Sequence, residues 1–212
     1  MSQQAVHRFT TMMRTTTRQR GEWVFAIGDP AEFIYFLQKG RMKITALNED
    51  GQEVLHKIVG PGEMFGDTST ILGIPRTTSA QALETSLLHE IRRKDFESLL
   101  KMYPEMSLQL LKSVGMRLKK AEAQFVNVIC YDVSRRVREA LIDLMELEPG
   151  AAPEHPVKIR ITQQDLANLV GASRQKTWQA LKELEDAGVL SLKYGSILIT
   201  APNRLSNPHV RS

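Results

Sequence analysis

The pattern of apolar and polar positions changes character twice along this chain. Between Trp23 and Ile91 it consists of short apolar runs: Trp23–Ile27, Phe33–Gln38, Arg41–Leu47, Glu53–Val59, Thr77–Leu83 and Ser86–Ile91. Turn-forming residues separate them, at Gly28-Asp29-Pro30, Gly40, Asn48-Glu49-Asp50-Gly51, Gly60-Pro61-Gly62 and Gly73-Ile74-Pro75. Evenly spaced strand-length runs of this kind predict a β-sandwich or small barrel. The preceding residues are polar, with a short helical signal over Ala5–Met13.

After Asp95 the period lengthens. Asp95 is placed to cap a short helix over Phe96–Met102, and Pro104 opens a helix with no breaker except Gly115 before Cys130. Leu111, Val114, Leu118, Ala121, Phe125 and Val128 recur at spacings of 3, 4, 3, 4 and 3. That is a coiled-coil seam, and it predicts a homodimer. The alternative is a stripe packed on the chain's own β-domain, for which Leu108 and Leu110 are suited. Asp132 then reads as the N-cap of a helix over Val133–Leu147, so Asn127–Asp132 is the candidate hinge. Pro149-Gly150 and Pro153 to Pro156 form a surface loop leading into Lys158–Ile161.

The third pattern runs from Ile161 to Thr200. Thr162 is an N-cap with Asp165 in the first turn, where an acid favours the helix dipole. Leu166, Leu169 and Val170 give one apolar stripe, and Gly171 ends the helix. Ser173 caps a second helix whose Thr177, Leu181 and Leu184 face the first, and Gly188 ends it. Runs at Val189–Leu192 and Ile197–Thr200 flank a turn at Tyr194-Gly195-Ser196. Helix, tight turn, helix and hairpin make a winged helix-turn-helix. The second helix carries Arg174, Gln175, Lys176 and Gln179 at its start and Glu183, Glu185 and Asp186 at its end. Arginine forks onto guanine and glutamine onto adenine, so the first turns suit a major groove, with the acids held away from phosphate. Arg160, Thr162, Gln163 and Ser173 are placed for phosphate contacts, which position a protein without specifying sequence. Trp178, at the edge of this helix, is expected to pack on the wing hairpin, with a thymine methyl as the alternative contact. The alternative to DNA is an ordinary solvated helix face.

Val170-Gly171-Ala172-Ser173-Arg174 followed by Leu181-Lys182-Glu183-Leu184-Glu185 resembles the DNA-binding domain of the CRP/FNR transcription-regulator family, and the resemblance extends over nearly the whole chain. Gly28-Asp29-Pro30, Lys39-Gly40 and Pro61-Gly62-Glu63-Met64-Phe65-Gly66 match the turns of that family's sensor domain. The resemblance implies an α+β protein with three parts. Residues 1–103 would form a cyclic-nucleotide-binding-type β jelly roll, 104–131 a long dimerisation helix and hinge, and 132–212 the winged helix-turn-helix. It also implies a dimeric regulator of a palindromic DNA site, with RNA polymerase as a further partner. The family's namesake carries Glu and Arg where this chain has Gln175 and Gln179, so a different half-site is expected.

Cyclic-nucleotide-binding members bracket a short helical loop with a Gly-Glu pair and an Arg-Ser/Thr pair. This chain has Gly66-Asp67 and Arg76-Thr77. Asp67 reaches less far than Glu would, and Ala121 and Glu122 align with the family's adenine-reading Thr-Ser pair. Ala121 has no hydrogen-bonding group, and Glu122 would place a charge near a bound anion. Three alternatives stay open: cAMP, another small effector, or none. In the last, Asp67 and Arg76 pair with each other on the barrel surface.

Composition narrows the rivals. The 212 residues carry 28 Lys and Arg against 24 Asp and Glu, a net charge of +4 that suits a nucleic-acid partner. The single cysteine, Cys130, excludes an intrachain disulfide and a cysteine-rich iron–sulfur site; it is expected to be a small buried residue. His7, His56, His89, His155 and His209 are scattered without metal-ligand spacing. A metal-dependent jelly-roll enzyme is therefore not expected, and His56 and His89 are the only imidazoles a haem in the β-domain could use. No apolar run suits a secretory signal or a membrane span, so a cytoplasmic protein is expected. A sensor whose helix-turn-helix binds protein instead of an operator remains the alternative function.

Overall fold

The computed structural model describes residues 11–148 and 155–205. Most of the helix expected over Ala5–Met13, and the loop through Pro149-Gly150 and Pro153, lie outside them, as do His7 and His209. The chain divides into two compact units, 1–121 and 122–212.

In the first unit two four-stranded antiparallel sheets face each other. One has the order β1 (Arg14–Arg18), β8 (Ser86–Arg92), β3 (Phe33–Lys39), β6 (Met64–Phe65). The other runs β2 (Trp23–Phe25), β7 (Ser79–Ala82), β4 (Met42–Leu47), β5 (Glu53–Val59). Their inner faces share one core, which takes Tyr35, Leu37, Phe65 and Leu88 from the first sheet and Phe25, Met42, Ile44, Val59, Ala80 and Ala82 from the second. Phe25, Tyr35 and Phe65 cluster in it with ring centroids 5.2–6.1 Å apart. This is the expected jelly roll, and each run read as a strand is one.

β3 looks continuously apolar because both its faces are covered. Tyr35 and Leu37 point into the sandwich, while Ile34 joins a second core with Ile91, Phe96, Leu99 and Met106. That second core seats α2 (Arg93–Met102) and the start of α3 (Pro104–Cys130). Asp95 proves to be a first-turn residue of α2, whose N-cap is Arg92. Two strands escaped the sequence pattern. β1 reads RTTTR, with no apolar alternation, and holds its place by full backbone pairing with β8; β6 is two residues long.

The helix α3 runs 27 residues without a break at Gly115. Its first turns pack on the β-domain through Met106 and Leu110, while Leu108 is exposed, so only half of the expected Leu108–Leu110 packing forms. The unit boundary falls inside this helix, between Ala121 and Glu122, so the segment expected to stand alone at 104–131 is shared. Cys130, its last residue, is exposed and not buried as expected, since the helix end offers it no core.

The second unit begins with the end of α3 and continues into α4 (Val133–Glu146), capped as expected by Asp132, which accepts from the Arg135 N–H at 2.8 Å. A three-stranded sheet of order β10 (Leu190–Lys193), β11 (Ser196–Ile199), β9 (Val157–Ile159) forms the wing. Between β9 and β10 lie α5 (Gln163–Val170) and α6 (Arg174–Asp186); α7 (Pro202–Leu205) follows β11. Val137 and Leu141 of α4, Leu166 and Val170 of α5, Leu181 and Leu184 of α6 and Ile197 and Ile199 of β11 are all buried, so one core seats the helix-turn-helix on its wing.

Candidate nucleic-acid interface and ligand cavity

The helix-turn-helix is fixed at each joint by a local hydrogen bond. The Thr162 hydroxyl accepts from the Asp165 N–H at 3.0 Å and donates to Asp165 Oδ2 at 2.8 Å. Because its proton is engaged there, Thr162 is in the first place the cap of α5. Gly171 ends α5 at φ +61, the left-handed conformation that a Cβ disfavours. The turn has a second support that the sequence did not signal. Arg136, on α4, donates from Nη1 to the carbonyls of Val170 (2.6 Å) and Gly171 (3.2 Å). These are carbonyls the helix end leaves without a partner. Ser173 then caps α6 by accepting from the Lys176 N–H at 3.3 Å.

With the frame set, α6 buries Thr177, Ala180, Leu181 and Leu184 and turns its other side outward. Arg174, Gln175, Lys176 and Gln179 are exposed, as are Arg160 and Ser173, and Gln163 is half-buried. The side chains of Arg174, Gln175 and Gln179 make no hydrogen bond or ion pair among the described residues. Gln163, Arg174, Gln175 and Trp178 line one shallow surface depression. The acids at the far end of α6 have structural roles that composition alone did not reveal. Glu185 accepts from the Leu192 N–H at 2.7 Å and from Lys182 Nζ at 2.8 Å, tying the helix to the wing. The Leu192 amide and then Lys182 hold its carboxyl below the usual range. Glu183 accepts from Ser134 Oγ at 3.2 Å, tying α6 to α4.

In the first unit, a cavity of about 210 Å³ lies at α1 (Asp67–Leu72). Gly66, Asp67, Arg76 and Thr77 line it as the motif implies, with His56, Lys57, Ser69, Thr78 and Arg117 besides. Asp67 and Arg76 do not pair with each other on a surface: each is 3% exposed. Asp67 is held in a two-pronged ion pair by Arg117 of α3, at 2.7 and 3.1 Å. Arg76 donates to the carbonyls of Gly66 and of Phe33 (2.6 Å) and to Thr70 Oγ1 (3.2 Å), with its guanidinium 4.1 Å from the Phe25 ring centre. Gly66 is required here, because a Cβ on it would stand 2.8 Å from Arg76 Nη1.

Arg76 Nε, also buried, has no partner, and Lys57 adds a second cation to the cavity wall. Burial lowers the Lys57 ammonium, opposed by the Glu63 carboxylate, reinforced by Arg117 and opposed again by Asp67. Lys57 stands opposite Ile44 on the inward face of β5, the position where strand alternation calls for an apolar residue. That alternation is the signal by which it could have been found. Arg117 gave none, since a charged residue beside Leu118 reads as helix surface. Ala121 is exposed and does not line the cavity; Glu122, also exposed, belongs to the second unit.

Along α3 the seam residues stand in solvent: Leu111, Val114, Leu118, Phe125 and Val128 are each more than 40% exposed, and Ala121 is exposed too. At the end of the helix Val128 also approaches the helix-turn-helix, 3.8 Å from where a Cβ on Gly171 would lie. The Asn127–Asp132 segment expected to be a hinge lies within the second unit and is ordered by side chains. Asn127 Nδ2 donates to Glu139 Oε2 at 2.5 Å, Arg135 Nε donates to Glu139 Oε1 at 3.2 Å, and the Arg135 guanidinium lies 3.5 Å from the Tyr131 ring centre.

Among the described residues no cluster of three His, Cys, Asp or Glu could hold a metal ion, and no helix is long and apolar enough to cross a membrane. Residues 16–103 match the family model of the cyclic nucleotide-binding domain, and residues 135–207 that of the Crp-like helix-turn-helix domain. The chain is 33% identical over 205 residues to a CRP-like cAMP-activated global transcriptional regulator of Mycobacterium tuberculosis, covering 95% of this chain and 91% of that one. It superposes with a TM-score of 0.74, at 25% identity, on the c-di-GMP-responsive global regulator of Xanthomonas campestris, covering 94% and 99% of the two chains. A CRP/FNR-family regulator from Thermus thermophilus shares the fold, with a TM-score of 0.76 at 23% identity over 91% of this chain and 96% of that one.

Proposed function

The chain belongs to the CRP/FNR family of transcription regulators, and from that premise we propose that it acts as a homodimer on a pseudo-palindromic DNA site under the control of a small anionic effector. It is a regulator with a cyclic nucleotide-binding domain and a DNA-binding helix-turn-helix, not an enzyme. Its site of action is the bacterial cytoplasm, with RNA polymerase as its partner at promoters. One observation carries the proposal: a rigidly capped helix holds Arg174, Gln175 and Gln179 in solvent without partners. Such groups exchange water for base edges without breaking anything inside the protein. Arg160, Gln163, Ser173 and Lys176 surround them as phosphate contacts, with Thr162 holding the frame.

Two copies pair along Leu111, Val114, Leu118, Ala121, Phe125 and Val128. Five of these six are large apolar side chains in solvent along one ridge, an arrangement that calls for a partner surface. The pairing sets two α6 helices about one turn of DNA apart, ~34 Å.

The cavity is lined by two cations, Arg76 and Lys57, together with Ser69, Thr77 and Thr78, and Arg76 Nε is buried without a partner. That set fits an anion. A cyclic nucleotide such as cAMP is one candidate, and another small phosphate-bearing effector is the second. A bound anion would draw on Arg76 and Lys57 and perturb the Asp67–Arg117 pair, which ties the loop to α3. The ordered hinge at Asn127–Glu139 would pass a shift of α3 to the turn that Arg136 and Val128 support.

Selection of duplexes from random DNA, with and without cAMP and cGMP, tests the whole scheme. Inverted repeats should be enriched, their half-sites about 10 base pairs apart. Failure to enrich any sequence would exclude operator binding and leave the protein-partner alternative.

A further inference from the structure

Trp178 is 46% exposed on the flank of the outward face of α6. At about 100° per residue, the buried Thr177, Ala180, Leu181 and Leu184 point one way. Gln175, Gln179 and Lys182 then point the other, with Trp178 on the flank beside Arg174 and Gln175. Arg174 and Gln175 lie one turn back from Trp178 and share its depression with Gln163, the first residue of α5. The indole is thus the only large apolar surface among groups that hydrogen-bond. Its Nε1–H makes no hydrogen bond among the described residues.

We propose that Trp178 is a further specificity-determining residue: its indole packs on the C5-methyl of a thymine beside the bases that Arg174 and Gln175 reach. This rests on the reading of α6 as the DNA-contacting helix and names one feature of its half-site. The major groove offers a single apolar feature, the thymine methyl, and every other mark there is a donor or acceptor. The face of an aromatic ring on a groove-facing helix is complementary to that methyl, whereas its Nε1–H alone could meet an acceptor on the base edges. The ring is half packed already and has only two rotatable side-chain bonds, so little freedom is lost when it is covered. The neighbouring Arg174 and Gln175 meet polar marks, with Gln163 on the phosphate beside them, and so set the register in which the indole reaches a methyl.

Single replacement of thymine by deoxyuridine removes the methyl and leaves every hydrogen-bonding group in place. The test scans each thymine of the duplex that wild-type protein selects from random DNA. It compares dissociation constants at fixed salt for the wild type, Trp178→Ala and Trp178→Phe. One thymine per half-site should show about a fourfold loss for the wild type on losing its methyl, the worth of one buried methyl group. Trp178→Ala should bind the two duplexes equally at that position while keeping the guanine preference set by Arg174, and Trp178→Phe should keep most of the sensitivity. If Trp178→Ala shows no melting transition, Trp178→Gln takes its place with the same expected loss. Wild type indifferent to deoxyuridine at every thymine, or an unchanged sensitivity in the alanine or glutamine variant, overturns the proposal. Selection that enriches no sequence overturns the DNA reading itself, and that failure is seen before any variant is made.

Discussion

In the β-domain cavity Asp67 and Arg76 are 3% exposed and engaged by the chain's own groups: a guanidinium on α3 for one, two carbonyls and a hydroxyl for the other. On α6 the arginine and glutamines stand in solvent with no partner among the described residues. The same residue type therefore has opposite meanings in the two units. Arg76 is part of the scaffold and can serve a ligand only through what remains of its hydrogen-bonding capacity, namely Nε–H and the second N–H of Nη2. Arg174 does nothing for the fold and is wholly available to DNA. The difference teaches where substitutions should register: as stability in the cavity, as binding on the helix.

The largest effect should come from Arg76→Ala. Removing the guanidinium leaves the carbonyls of Phe33 and Gly66 to share the single proton of the Thr70 hydroxyl, so one buried carbonyl goes unpaired at ~1–3 kcal/mol, and the contact with the Phe25 ring is lost as well. Thermal unfolding of the β-domain should show a loss of about 3 kcal/mol or more, and an unchanged melting temperature would break the comparison. Next, Arg174→Ala should leave the melting temperature where it is. It should weaken operator binding by ~1–3 kcal/mol and relax the preference for one guanine, measured by titration against single-base variants. Ser173→Ala sharpens the contrast, because Ser173, like Thr162, is a residue of the proposed DNA face that also holds the frame. Loss of its cap should cost about 1 kcal/mol of stability in chemical denaturation.

The smallest effect is in pH dependence. Burial, and then the neighbouring Lys57, pull the His56 imidazole below its ordinary value. The folded chain consequently binds fewer protons than the unfolded chain just below about pH 6.5. Stability from this source is complete above that pH and declines as pH falls through it toward the folded-state pKa. His56→Gln should flatten the melting temperature between pH 7 and 5, and an identical slope in both proteins would remove His56 from the cavity's electrostatics.

The second unit was legible in the sequence because its determinants are local. Thr162 and Asp165, Ser173 and Lys176, and Asp132 and Arg135 each lie three residues apart, so capping could be read directly. The longer-range ties were hidden: the carbonyls that Arg136 serves lie 34 and 35 residues away, and Ser134 lies 49 residues from Glu183. The jelly roll was legible as a list of strands, except the two-residue β6 and β1, whose polar RTTTR is held by pairing with β8, some 70 residues on. The cavity was legible in part. Gly66, Asp67, Arg76 and Thr77 lie close in sequence and were found together. The partner of Asp67 is 50 residues distant on α3, and the main acceptors of Arg76 include a carbonyl 43 residues away. Spacing along a chain cannot show such pairs, which is why Asp67 and Arg76 were matched with each other.

The most direct test of the account is a titration of the purified protein at one fixed salt concentration against two duplexes of equal length: its selected inverted repeat and the same bases scrambled. Two paired copies reading bases through α6 should prefer the repeat by at least about a thousandfold, with two chains bound per duplex. Equal affinity for both, or one chain per duplex, would contradict it.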